Sequence, residues 1–172
     1  EYDITELSFS DNLLNSKGVI KKAESLCATC YNAKAVKYST CGTTVNILSL
    51  IYSIKNLGKS LIIEKNSHKS IYSALQISSI EPIIINNPKG DDSLYRHITA
   101  KDIENALQDK DDCIGAFITS PDYYGFNADL PNIARILKKH NKLLFVDAAH
   151  GSHLPFINKN IYNNVDAYIC SA

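Results

Sequence analysis

The chain has 172 residues, 45% of them hydrophobic and 21% charged, the make-up of a folded domain rather than a fibre or a disordered tail. Eighteen basic residues balance eighteen acidic ones, so no cationic excess is available for a nucleic-acid backbone. No apolar run approaches the roughly 20 residues needed to span a bilayer, and five scattered cysteines with no apolar leader predict a reduced, cytoplasmic setting.

The residues up to Gly18 are polar and irregular and are expected to form a leading segment, 1–18. From Val19, apolar residues recur at helical spacing (Val19, Ile20, Ala23, Leu26, Cys27, Cys30, Tyr31), which predicts a helix over 19–32. Ala35-Val36-Lys37-Tyr38 reads as a short strand, and a helix is expected after Gly42-Thr43-Thr44. Leu61-Ile62-Ile63 is a compact apolar run of the kind buried on both faces of a sheet. A helix follows from about Lys69, a strand over Pro82–Ile85, and a helix from about Ala100. Thr99 and Asp102 have the spacing of an approximate capping box for that last helix. Strands are expected at Ile114–Ile118, Leu143–Val146 and Ala167–Ile169, with a helix from near Pro131 to Lys139. Asn158–Asn164 reads as a polar connection.

Strands alternating with helices imply an α/β fold, here a three-layer α/β/α arrangement around a mainly parallel sheet. In such sheets chemistry gathers at the carboxyl ends of the strands, and the candidate motifs all lie at such ends.

Asp147-Ala148-Ala149-His150-Gly151 follows directly on the strand Leu143–Val146. A carboxylate there can hold the proton of a cationic ring nitrogen, or simply cap the next turn. Cys41-Gly42-Thr43-Thr44-Val45-Asn46 lies between a strand and a helix. Backbone N–H groups and two hydroxyls at a helix start can cradle a phosphate, and ordinary N-capping by threonine accounts for the same residues. His68, in Asn66-Ser67-His68-Lys69-Ser70, could stack on a flat ring or stand in solvent. Cys27-Ala28-Thr29-Cys30 has CxxC spacing, but no second pair completes a zinc site and core packing is expected. Asp147, His150 and His153 match no zinc motif, and no metal is expected.

Together these segments resemble the large domain of the ornithine/lysine/arginine decarboxylases, within the aspartate-aminotransferase-like (fold type I) enzymes that use pyridoxal 5′-phosphate (PLP). The resemblance covers nearly the whole chain. It rests on Tyr2-Asp3-Ile4-Thr5-Glu6-Leu7, Gly18-Val19-Ile20 with Ala23-Glu24, Asn66–Ser70, Thr119-Ser120-Pro121 with Tyr123-Tyr124-Gly125, and Val146–His153 in that order.

The resemblance implies a PLP-binding large domain over 19–172. Asp147 binds the pyridine nitrogen, His68 stacks on the ring and Ala149 packs on its other face. Gly42, Thr43, Thr44 and Ser171 hold the phosphate, and His150 joins the cofactor-binding set. In the family a serine like Ser171 is followed shortly by His-Lys, and that lysine binds the cofactor covalently. The sequence ends at Ala172 and contains no Met, so an excerpt that stops before that lysine, before the last strand and before the small C-terminal domain is expected, inactive by itself. The family's sheet has seven strands, which would leave the strand near Ala35–Ser39 without its usual neighbour. Cys41-Gly42 departs from the more polar phosphate loop typical of the family.

The implied reaction is decarboxylation of lysine, arginine or ornithine to an amine and carbon dioxide, in a homodimer or higher oligomer. Another PLP reaction, such as transamination or elimination, and a non-catalytic binding fragment are the alternatives. The substrate is not identified by any motif.

Overall fold

Leu61, Ile62 and Ile63 are fully buried at the centre of strand β1 (Ser60–Glu64), as a strand covered on both faces requires. The computed structural model describes residues 7, 9–91 and 94–171; residues 2–6 of the leading motif and Ala172 lie outside the described residues. Contacts divide the chain into two compact units, one of Cys41–Ser152 with Asn164–Ala172 and one of Glu1–Thr40 with His153–Asn163.

The larger unit is built on β1, β2 (Glu81–Ile85), β3 (Cys113–Thr119), β4 (Leu143–Ala148) and β5 (Ala167–Cys170). All four pairings are parallel, in the order β2-β1-β3-β4-β5. Helices α2 (Gly42–Ser53) and α3 (Lys69–Ser78) cover one face. Their Ile47, Ile51, Ile71 and Leu75 share a core with Leu61, Ile63, Phe117, Phe145 and Ile169. The intervening strand residues Ala116, Ile118, Leu144 and Val146 are also buried but lie outside that core. Side chains alternate across a strand, so these face the other side. There α4 (Ala100–Ala106) packs on α5 (Leu130–Lys139), and α5 on β4.

Several local signals act as their chemistry requires. Thr99 and Asp102 form the full capping box of α4, and Asp129 caps α5 ahead of its Pro131. Gly115 lets β3 and β4 approach: a Cβ there would run into the carbonyl of Leu143. Among the described residues, no helix is long and apolar enough to cross a membrane.

In the smaller unit the expected first helix is α1 (Val19–Cys30), joined by the short α6 (Leu154–Ile157). Asp11 accepts hydrogen bonds from the backbone N–H groups of Asn12, Lys17, Gly18 and Ile20, which hold its carboxyl well below the usual range, the Lys17 contact most. Two expectations fail here. Ala35–Tyr38 is not a strand. Lys37 instead reaches the buried Glu24 at 2.9 Å, and the Tyr38 hydroxyl donates to the Ala23 carbonyl at 3.2 Å, so side chains tether the segment to α1. The strand edge anticipated near Ala35–Ser39 therefore does not exist. The CxxC pair is not core either: Cys30 is exposed and Cys27 half-buried. The buried residue of α1 is Glu24, hydrogen-bonded to Lys37 and Ser16, while Val19 and Leu26 face outward.

Candidate cofactor site

A helix that precedes or follows a parallel strand runs back along it, so the N-termini of α2 and α3 lie at the carboxyl end of the sheet. Asp147, near the end of β4, opens at the same end. Its partner across the ladder is Thr119, and it falls on the α2/α3 face with Phe145 two residues before it and Phe117 opposite Phe145.

Asp147 is 3% exposed, and burial pushes its carboxyl pKa up. The Ala149 N–H, donating to Oδ1 at 3.1 Å, and the nearby His68 and His150 act in the opposite direction without cancelling that effect. Among the described residues, Ala149 is the only donor to this carboxylate, so Oδ2 has none. The Thr119 hydroxyl on the neighbouring strand is buried without a partner, as is that of Ser67. A buried acid with one oxygen held and one open suits an N–H donor brought by a ligand.

His68 is the N-cap of α3. Its Nδ1 accepts from the Ser70 N–H at 3.2 Å and faces the Ser70 hydroxyl at 2.7 Å. The ring is thereby fixed by the first turn of the helix, with Nε2 left to carry the proton of the neutral form. Lys69 is the first residue of α3.

The start of α2 lacks the side-chain capping that was one reading of its threonines. No side chain caps this helix, and Gly42 has φ +74°, a left-handed conformation that disfavours any Cβ. The hydroxyls of Thr43, Thr44 and Ser171 make no hydrogen bond among the described residues. An uncapped helix start with hydroxyls free among the described residues is compatible with a phosphate. The residues present therefore suit both ends of PLP.

The structure brings His68 and His150 each within electrostatic reach of Asp147. Tyr123 adds an aromatic ring edge-to-face with His150, centroids 6.3 Å apart. Gly42, Thr43, Thr44, Ala149 and Ser171 reach the same end of the sheet through their elements, without mutual hydrogen bonds. The sequence did not signal a second buried group at this end. Glu64, the last residue of β1, is fully buried and binds His97 at 3.1 Å, Asn87 at 3.0 Å and the Thr119 N–H at 3.2 Å. A charge closing an otherwise apolar strand was the available clue to Glu64; nothing local marks His97.

Solved structures that share this fold are PLP-dependent enzymes of fold type I. Serine palmitoyltransferase of Sphingomonas wittichii matches 94% of the chain and 40% of its own, with TM-score 0.69 at 21% identity. Mouse CSAD in its apo form matches 88% and 37%, with TM-score 0.66 at 14% identity. A PLP-bound C-S lyase from Staphylococcus hominis matches 77% and 36%, with TM-score 0.58 at 14% identity.

Within that class the sequence is more specific. The chain belongs to the Orn/Lys/Arg decarboxylase family, matching its major domain over residues 1–168. It is 32% identical over 156 residues to an arginine decarboxylase of Bacillus cereus, covering 90% of this chain and 34% of that protein. An arginine decarboxylase of Bacillus subtilis is 33% identical over 156 residues, with 90% and 32% covered. The uncharacterized protein YaaO of Bacillus subtilis is 34% identical over 153 residues, with 88% and 32% covered. The chain thus spans about a third of the length of these relatives.

Proposed function

We propose that this chain is the cofactor-binding part of a PLP-dependent decarboxylase that converts lysine, arginine or ornithine to an amine and carbon dioxide. The observation that carries the reading is Asp147: a buried carboxylate at a parallel strand end, one oxygen held by Ala149 N–H and the other without a donor among the described residues. When bound, PLP supplies an electron-withdrawing ring that accepts the electron pair released as carbon dioxide leaves.

The chain's own residues bind and polarise. Asp147 holds a proton on the ring nitrogen and keeps the ring cationic. His68, fixed by Ser70, covers one face of the ring, and Ala149 packs on the other. Gly42, Thr43 and Thr44 at the start of α2, with Ser171 after β5, take the phosphate. His150 and Tyr123 border the opening. Membership of the family and the arginine decarboxylase relatives support the reaction class. Self-association of the full-length protein belongs to the same proposal.

None of the chain's lysines stands where the family's cofactor-bearing lysine does, and Lys69 lies in the first turn of α3. Residues 1–172 by themselves should therefore release no carbon dioxide above a blank. The deciding assay supplies the full-length protein with PLP and each basic amino acid in turn, and follows carbon dioxide and amine. Release of both from one of them, reduced by Asp147→Ala, is expected. Formation of a keto acid in place of carbon dioxide would show a transaminase instead.

A further inference from the structure

His97 lies in the segment before α4 and joins the end of β1 to the 122–126 turn. Its Nδ1 is 3.1 Å from Glu64 Oε1, and its Nε2 is 2.9 Å from the carbonyl oxygen of Phe126. A carbonyl oxygen cannot donate, so Nε2 carries a proton. Glu64 also takes N–H donors from Asn87, Ile98 and Thr119. Oε1 thus accepts from Asn87 and Ile98 and Oε2 from Thr119, the setting of an ionised carboxylate, which can only accept. Nδ1 is therefore the donor in its bond as well, and the ring is an imidazolium.

The turn it grips is the one that carries Tyr123. Asp122 Oδ1 accepts from the N–H groups of Tyr124 and Phe126, and the Asp122 N–H donates to the same Phe126 carbonyl that His97 holds. Tyr123, at the tip, meets the ring of His150 edge-to-face. The charged groups facing His97 are Glu64 from β1 and Asp122 Oδ2 at 3.8 Å from the turn. Arg96 lies alongside, with its guanidinium 4.9 Å over the Phe126 ring.

We propose that His97 is a positioning residue whose doubly protonated ring clamps the 122–126 turn to the end of β1, setting Tyr123 against His150 at the mouth of the cofactor site. Losing one ring proton removes His97 from one of its two acceptors. The bond to the charged Glu64 is the stronger and is kept, so the Phe126 carbonyl retains only the Asp122 N–H and the turn loses its tie to β1. Burial alone would lower the pKa of His97, but its bonds to Glu64 and Phe126 and the charges of Glu64 and Asp122 outweigh burial and raise it. The clamp is thus closed below the ordinary histidine value and opens as pH rises through the raised one. Its effect on ligand binding rests on the cofactor reading of the site; the protonation state of His97 does not.

The test uses the full chain in two measurements. Ring-nitrogen NMR should show His97 with both nitrogens protonated at about pH 6, below the ordinary histidine value, and Tyr123 and Phe126 signals moving together with its titration. A neutral His97 at that pH, or a Tyr123 signal indifferent to its titration, overturns the clamp whatever the site binds. The second measurement follows affinity for pyridoxine 5′-phosphate, which lacks the aldehyde, against pH in the wild type and in Asp122→Asn. The substitution keeps the Oδ1 acceptor for the turn and removes a charge 3.8 Å from His97. The alkaline loss of affinity should move down by about one pH unit, with probe ionisation common to both proteins. An unmoved alkaline limb overturns the link to the site. If the probe does not bind at all, the cofactor reading fails while the NMR result still decides the clamp.

Discussion

Replacing Glu64 by alanine should be the most damaging single change at the site end of the sheet. The side chain is buried and accepts from Asn87 Nδ2 at 3.0 Å, His97 Nδ1 at 3.1 Å, Thr119 N at 3.2 Å and Ile98 N at 3.4 Å. Its loss strands these donors, each of which would cost about 1–3 kcal/mol if wholly unsatisfied. Water entering the gap offsets part of that, so the sum should settle at about 3–5 kcal/mol, the range for breaking a buried pair. For a chain of this size that is a fall in Tm of about 10 °C, read by circular dichroism.

The pH dependence gives a second handle on the same variant. His97 has a raised pKa in the fold, so its contribution is complete below about 6.5, the unperturbed value. It is lost as pH rises through the higher folded value. The gap in stability between wild type and Glu64→Ala should therefore narrow on the alkaline side. A cost below about 1 kcal/mol, or a gap that does not narrow, would refute the reasoning. A double-mutant cycle with His97→Ala isolates the pair itself.

Gly42→Ala should weaken pyridoxine 5′-phosphate binding measurably in a fluorescence titration, since φ +74° strains any Cβ, while nothing within 4 Å is disturbed. Gly115→Ala should prevent normal folding, visible as loss of cooperative unfolding, because the new methyl group meets the Leu143 backbone. For Asp147, a raised pKa means that the fold disfavours its charge, so stability falls as pH rises from about 3.8 through the folded value. Binding of a cationic ring needs the charged form, so probe affinity should fall as pH drops through that same value. An Asp147→Asn variant should lose this acid limb of the titration.

The sheet was legible because its strands are short apolar runs with few alternatives, and Leu61–Ile63 and Ile114–Ile118 both sit in its centre. Asp147 was legible for the same reason: a charge closing such a run has no apolar partner to explain it. Ala35–Tyr38 shows where this reasoning fails. Its apolar residues fit a strand, but Lys37 and Tyr38 are committed to Glu24 and Ala23 of α1, contacts that no local pattern encodes. α1 misled in the same way, since its buried residue is a glutamate paid for by a lysine 13 positions on. The Glu64–His97 bond joins residues 33 apart in sequence and needed the folded sheet to be seen.

The central claim is that Asp147 holds a proton on the ring nitrogen of a bound pyridoxal-type cofactor. Its most direct test is the nitrogen-15 spectrum of pyridoxine 5′-phosphate, labelled in the ring and bound to the protein. The account predicts a protonated ring nitrogen that keeps its proton to higher pH than the free probe does, an effect abolished in Asp147→Asn. A bound ring nitrogen without a proton, or one whose titration is the same in wild type and variant, would contradict it.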